Sequence, residues 1–570
     1  MTYYIKSAKQ SKLVHNVQNT PLGYTKLNFS SALKNKSVSQ IIEIFQAIPD
    51  YIVALDLSFL QFGTRNAAEV RGILKAIPGW VSSVKLSYND LNLLKTDELI
   101  HALSGLHTNI TRIHLDGNNL GHKSATALSA ILTTLANRDK LHALDLRDNK
   151  LYLRKTDFEL IFISETNQGQ GNLGNISELN LSDNRLDIIP TDKLIQAIAL
   201  LSDHLKCLNL GGNYLHEKST NDRFIEIFQS ISVNVTTLNL ERNGLSRIET
   251  TLLIALMKNI PKHLTSLSLY ADNFYNNLQQ ETLNEYFGLA PGFDTKNDNE
   301  LEKILAAIPE TVEMLDFSGM LLAGRGIDSL IRFMHSLPKG VTTLNFSSNN
   351  LHLIKARHLS RLFEAIPSHI TSINLSNNGL GEMDTSTLKK AFAIFPKNVT
   401  SISLGDNKFY KKKHSEVIEI LSAIPIHVKN INVEKNKLFK KIQATDNFFN
   451  TLQNHVKEPE RFNWRDNGES NFSRALAPMI SFATKGRKNK AAEPLPADNV
   501  ATILSFLAPA SVKSNCIKQL IIEKEEKNKL SSSTNTAGNN SLPTNIFQFF
   551  KKFIPKRTVE SNDTTANCII

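Results

Sequence analysis

Arg112, His114 and Asp116 stand at alternate positions of the chain, as do Asp145 with Arg147 and Asn239 with Glu241. A step of two puts such residues on one face of a strand. Glu178 and Tyr270 hold equivalent places in two further segments. Side chains of these types make charge-assisted hydrogen bonds, and Tyr and Arg supply many of the anchors in protein–protein contacts. They do not form an enzyme's set. There is no H-E-x-x-H, no G-x-S-x-G and no phosphate-cradling glycine loop, so no catalytic residue, metal ligand or cofactor is expected. Cys207 precedes Leu208 with no base beside it and is expected as a plain thiol exposed to the same side.

The elements that place these residues follow from one recurring phrase, clearest at Pro367 to Leu380, P-S-H-I-T-S-I-N-L-S-N-N-G-L. Ile373 and Leu375 alternate with Ser372, Asn374 and Ser376, as in a strand with one buried face. Asn378 falls where the strand must turn, and its amide can satisfy backbone groups that the turn leaves open. The first strand apolar recurs at Leu27, Leu55, Val84, Ile113, Leu144, Leu179, Leu208, Leu238, Leu267, Leu315, Leu344, Ile373, Ile402 and Ile431, mostly 29 residues apart. A proline lies six residues earlier in eight copies, from Pro49 to Pro425, and marks where a preceding helix must stop. Leu359, Leu362, Phe363 and Ile366 share one face of such a helix. Each copy therefore reads as strand, turn, helix and loop.

The L-x-L-x-x-N-x-L signature at this period resembles the ribonuclease-inhibitor-like class of leucine-rich repeats. The resemblance implies an α/β solenoid, a horseshoe with a concave parallel β-sheet and convex helices, over residues 21–440 in about fourteen repeats. Residues 1–20 are expected as an N-terminal cap and 441–484 as a small helical C-terminal cap. The phrasing A-I-P-S-H-I-T-S-I-N-L-S-N-N-G-L also resembles leucine-rich-repeat effectors of Legionella-type intracellular bacteria. That likeness implies a non-enzymatic module that binds a host protein after type IV secretion into the host cytoplasm.

Two places break the step. G-Q-G-N-L-G-N, Gly169 to Asn175, reads as a flexible surface loop, and an insertion around Gln279 to Asn299 reads as a tolerated loop, a binding loop or a hinge. Beyond the array, Leu495 to Val512 resembles the first half of an F-box. This implies binding of the Skp1 adaptor through Leu495, Pro496, Ile503, Leu504, Phe506 and Leu507, within a linker and helical segment at 485–530. A simple amphipathic helix packed on the cap is the plainer reading. In the tail, 531–570, Ser531 to Ser541 has a disordered composition. Phe547, Phe550, Lys551, Lys552 and Phe553 suit an anionic membrane surface.

Composition narrows the classes. The 570 residues are 41% hydrophobic, with no apolar run long enough to span a membrane and no apolar core of a signal peptide near the N-terminus. Three cysteines at wide spacing fit a reducing compartment. The net charge of +11 permits an anionic partner without requiring one. A monomer with no nucleic-acid partner is expected.

Overall fold

The computed structural model describes residues 2–20, 24–30, 32–164, 171–201, 203–269, 296–320, 322–438 and 461–463. The chain divides into two compact units, the first ending at Asn349 and the second beginning at Asn350. In the first unit the described strands are β1 (Thr2–Tyr4), β2 (Lys26–Asn28), β3 (Ala54–Asp56), β4 (Ser83–Lys85), β5 (Arg112–His114), β6 (Ala143–Asp145), β7 (Glu178–Asn180), β8 (Cys207–Asn209), β9 (Thr237–Asn239), β10 (Ser266–Ser268), β11 (Met314–Asp316) and β12 (Thr343–Asn345). In the second they are β13 (Ser372–Asn374), β14 (Ser401–Ser403), β15 (Asn430–Asn432) and β16 (Phe462–Asn463). Within each unit every strand pairs in parallel with the next in sequence. This is the leucine-rich-repeat solenoid that the sequence pattern predicts.

The register confirms the reading copy by copy. Leu27 pairs with Leu55, Leu55 with Val84, and so on to Leu315 with Leu344; Ile373 pairs with Ile402 and Ile402 with Ile431. These central side chains are at most 1% exposed. Helices such as Val38–Gln46, Ala67–Lys75 and Ala356–Glu364 return the chain between strands. In the last of these Leu359, Leu362 and Phe363 are buried, as their spacing requires. Each of the eight prolines accepts, at its carbonyl, a turn bond from the N–H three residues on, for example Ile370 to Pro367 at 3.0 Å. The helix has stopped before this point because proline has no N–H with which to continue it.

Four features differ from the sequence reading or extend it. Residues 2–18 hold a strand and a helix, Gln10–Gln18, with Tyr3 in register with Leu27. Part of the expected flexible loop is packed: Leu173 is fully buried, and the buried Asn172 amide donates to the Ile161 carbonyl at 2.8 Å and to Ser129 Oγ at 3.1 Å. A 3-10 helix at Phe158–Phe162 replaces the usual α-helix in that copy. The residues 270–295 lie outside the described set, yet Leu267 on one side pairs in register with Leu315 on the other. Strand pairing therefore runs across the insertion without a break. The cap at 441–484, apart from residues 461–463, and everything proposed for 485–530 and 531–570 also lie outside the described residues.

The turn after the strand is fixed by a buried asparagine. Asn213 shows the pattern: its Oδ1 accepts from the N–H groups of Asn184 at 2.9 Å and Leu186 at 3.4 Å. Its Nδ2 donates to the carbonyls of Leu181 at 3.0 Å and Leu210 at 2.9 Å. One side chain thus joins two copies. Asn213→Ala would strand several buried backbone groups, each costing about 1–3 kcal/mol when unpaired. The expected result is faster amide exchange in the copies at Leu179 and Leu208 than in distant ones. Uniform exchange would contradict this.

The second unit carries a pH-dependent element. Lys411 and Lys408 hydrogen-bond to Glu382 and hold its carboxyl at about 2, while the Thr387 and Ser386 hydroxyls and the Thr387 N–H hold Asp384 at about 2. Depressed acid pKa values stabilise the fold above the ordinary values of 4.5 and 3.8, and that contribution is lost as pH falls toward 2. Urea midpoints should therefore fall across this acid window, and less steeply in Glu382→Gln.

Candidate functional site

Three rows of side chains run across the strands of the first unit on the concave face. The middle row, one position after each central apolar residue, has a structural job in most copies. The side-chain oxygens of Asp56, Asp145, Asn180, Asn209 and Asn239 accept the N–H two residues on, at 2.8 to 3.1 Å. This closes the strand end. Asp145 and Asn239, singled out from sequence for binding, thus also hold the turn, the latter through the N–H of Glu241. Lys85 and His114 occupy the same row without that acceptor, so it is relaxed in two adjacent strands.

Arg112, His114, Asp116, Asp145, Arg147 and Glu178 enter pairs across neighbouring strands, whereas Asn239 and Glu241 stand apart from them. Arg112 Nη2 reaches past the buried Ala143 to Glu178 Oε2 at 2.8 Å. Its Nη1 is buried without a hydrogen-bond partner. His114 Nδ1 lies 3.2 Å from Asp145 Oδ2, Lys85 Nζ lies 3.8 Å from Asp116 Oδ2, and Ser87 Oγ donates to Asp116 Oδ1. Arg147 Nε donates to Asp183 Oδ2 at 2.7 Å. Alternation correctly turns Asp116 and Asp145 toward the groove, but their neighbours cover them to 6% and 5% exposure. They act by orienting Ser87, Lys85, His114 and the Arg147 backbone. Arg147 remains exposed.

Cys207 is buried at 5%, not exposed as alternation alone suggests. Tyr270, Leu495, Pro496, Ile503, Leu504, Phe506, Leu507, Phe547, Phe550, Lys551, Lys552 and Phe553 lie outside the described residues.

His114, Asp116 and Asp145 could each turn a ligand atom to within 4.8 Å of the others. All three already have partners, and a bound cation would compete with Lys85 for Asp116. The cluster reads as an internally paired network.

A fourth row was not anticipated. It lies four positions after each central residue and reads Phe59, Tyr88, Gly117, Asp148, Asp183, Gly212 and Arg242. All of them have positive φ, between 51° and 68°, and turn outward at the strand ends. The rings of Phe59 and Tyr88 stack 4.8 Å apart at an interplanar angle of 2°, and are 53% and 38% exposed. Tyr88 leans over Gly117, where a Cβ would come within 2.2 Å of its ring, and its hydroxyl donates to Asp148 Oδ2 at 3.4 Å. Arg242 reaches over Gly212 to fork Asp183 at 2.7 and 2.9 Å. The sequence signal for this row is the same 29-residue step, read one residue beyond the alternating set.

Burial and the neighbouring Asp183 raise the pKa of Asp148, outweighing Arg147, Tyr88 and Lys150. A raised acid pKa means that the charge opposes folding at pH values above both the folded and unfolded pKa, and the opposition fades as pH falls. Asp148→Asn should therefore leave the urea midpoint at pH 7 unchanged or higher. A clear loss of stability would contradict the assignment.

Among the described residues no helix is long and apolar enough to cross a membrane. Among solved structures, the chain is similar to the leucine-rich repeat-containing protein LegL7 from Legionella pneumophila, at 24% identity, with 74% of this chain and 97% of that chain covered and a TM-score of 0.34. No protein-family model matches the chain, and no curated protein matches it.

Proposed function

We propose that the chain is a non-enzymatic interaction module that holds a protein partner on the concave face of its first unit. The observation that carries this reading is the uneven chemistry of that face. Strands β3 to β9 and their turns display Lys85, Arg112, His114, Arg147, Glu178, Glu241 and the Phe59–Tyr88 stack. The strands and turns of the second unit display chiefly Ser372, Asn374, Ser376, Asn377, Ser401, Ser403, Asn430 and Asn432, with charge only at Asp406, Glu434 and Lys435 and no aromatic residue among these positions. Repeat scaffolding alone needs only the small polar set, since the copies bearing it stack in the same register. Leucine-rich repeats commonly serve as protein-binding surfaces, because a stack of parallel strands offers an extended face whose side chains vary without disturbing the core.

The finer reading, that the partner is a host protein met after type IV secretion, is supported by the I-P-x-x-V-T-S-L-N-L-S phrasing shared with Legionella-type effectors. The test is capture from host-cell lysate with the full chain, its Tyr88→Asn/Arg147→Ala variant and a convex-face control, Lys389→Ala. The expected outcome is one dominant protein retained by the parent and the control and depleted about tenfold or more by the concave variant, consistent with loss of two anchors. Equal retention by all three would overturn the placement.

A further inference from the structure

Phe59 and Tyr88 sit at φ 63° and 52°. Bulky residues are uncommon in this region, where Asn and Gly are comfortable. The same chain uses Asn377, Gly212, Asp183, Arg242, Asp406 and Lys435 at the equivalent turn position with similar φ, so the turn takes many residue types and does not demand aromatic ones. Stacked on each other, exposed, and not required by the turn, the two rings invite a functional account.

Their surroundings indicate what they would meet. Asp148 lies at the end of the stack and has no ion pair within 4 Å among the described residues; Tyr88 O–H, at 3.4 Å, is a long contact. Asp183 beside it is answered by two guanidinium groups, those of Arg147 and Arg242. In one half of the row an arginine crosses a glycine to fork a carboxylate. In the other half a tyrosine crosses the glycine and the carboxylate lacks that fork. The chain also places Arg185 over the Tyr214 ring at 5.1 Å, between neighbouring turns of the same array. Arginine on tyrosine and arginine on aspartate are thus contacts that this surface already forms with itself.

We infer that Phe59, Tyr88 and Asp148 form a binding site for an arginine side chain of a protein partner, the stem lying along the stacked rings and the guanidinium forked onto Asp148. Arginine suits the site better than lysine because its planar group matches a carboxylate in two bonds and lies flat against aromatic surface. Burial of the carboxylate and repulsion from Asp183 mean that an incoming cation relieves an unfavourable charge. The chain's net charge of +11 would repel a basic peptide in general, so capture of one requires a local acidic site.

This inference rests on the concave-face reading above and is tested separately. Fluorescein-labelled hexa-arginine is titrated against the full chain by anisotropy at two salt concentrations, with hexa-lysine as competitor. Asp148→Asn and Phe59→Asn/Tyr88→Asn are the variants; the second removes the rings while keeping a residue that tolerates positive φ. The expected results are saturable binding, weakened about tenfold by either variant, and hexa-lysine competing several-fold less well. Unchanged affinity in both variants, or no saturable binding, would overturn the site, and equal competition by hexa-lysine would overturn the choice of arginine. If hexa-arginine fails while the concave variant still loses its lysate partner, the arginine site falls and the binding face stands.

Discussion

The buried turn asparagine is the interaction on which the rest of the structure depends. A strand of three residues cannot hold a register alone, and the chain must leave it through two residues of positive φ on either side of the asparagine, as at Asp183 and Arg185 around Asn184. That turn exposes backbone N–H and C=O groups to the interior, where unpaired polar groups are costly. Asn89, Asn118, Asn149, Asn184, Asn213 and Asn243 in the first unit, and Asn378, Asn407 and Asn436 in the second, are at most 1% exposed and link each turn to its neighbour. Stacking at a constant step follows from this chain of hydrogen bonds together with the apolar columns beneath it.

The same geometry explains the functional rows. With the turn fixed, the residue just before the asparagine, or before Leu60 in the copy that lacks one, is held outward at the strand end, and its identity is constrained only where a neighbouring side chain crosses it, as Tyr88 crosses Gly117 and Arg242 crosses Gly212. Where nothing is selected for, Asn and Gly suffice; where Phe59, Tyr88, Asp148 and Arg242 appear, the backbone is asked to hold bulkier groups in a conformation that favours small ones. The charge of the chain is likewise distributed by structure. Lys123, Lys218 and Lys296 turn inward and donate to the carbonyls of Leu94, Ile189 and Ile248. Burial lowers the pKa of Lys123 and Lys218. Part of the basic excess thus serves the scaffold, while carboxylates and guanidinium groups are paired across the groove.

Much of the fold was legible because its determinants are local and repeated. Fourteen apolar positions, eight prolines and the turn asparagine each carry a period that one can count, and the register obeys them even across the insertion. Less legible were the ends. Tyr3 and Phe462 pair with Leu27 and Ile431 through backbone groups that any residue supplies, without the asparagine signature. For the site, alternation gave orientation but not exposure: Asp116 and Asp145 face the groove and are covered by what neighbouring copies place beside them. The Phe59–Tyr88–Asp148 row escaped because it breaks the alternation, turning outward through backbone angles that no side-chain pattern announces.

The central claim is that the concave face of the first unit, and not the outer helices, meets the partner. Hydrogen–deuterium exchange of the full chain, alone and with the captured protein, tests it most directly. Protection concentrated in the strand ends and turns from Ala54 to Arg242, with the helices Ala67–Lys75, Thr96–Leu103 and Thr191–Ala199 unchanged, is the predicted result. Protection confined to those helices, with the strand ends unaltered, would contradict the account.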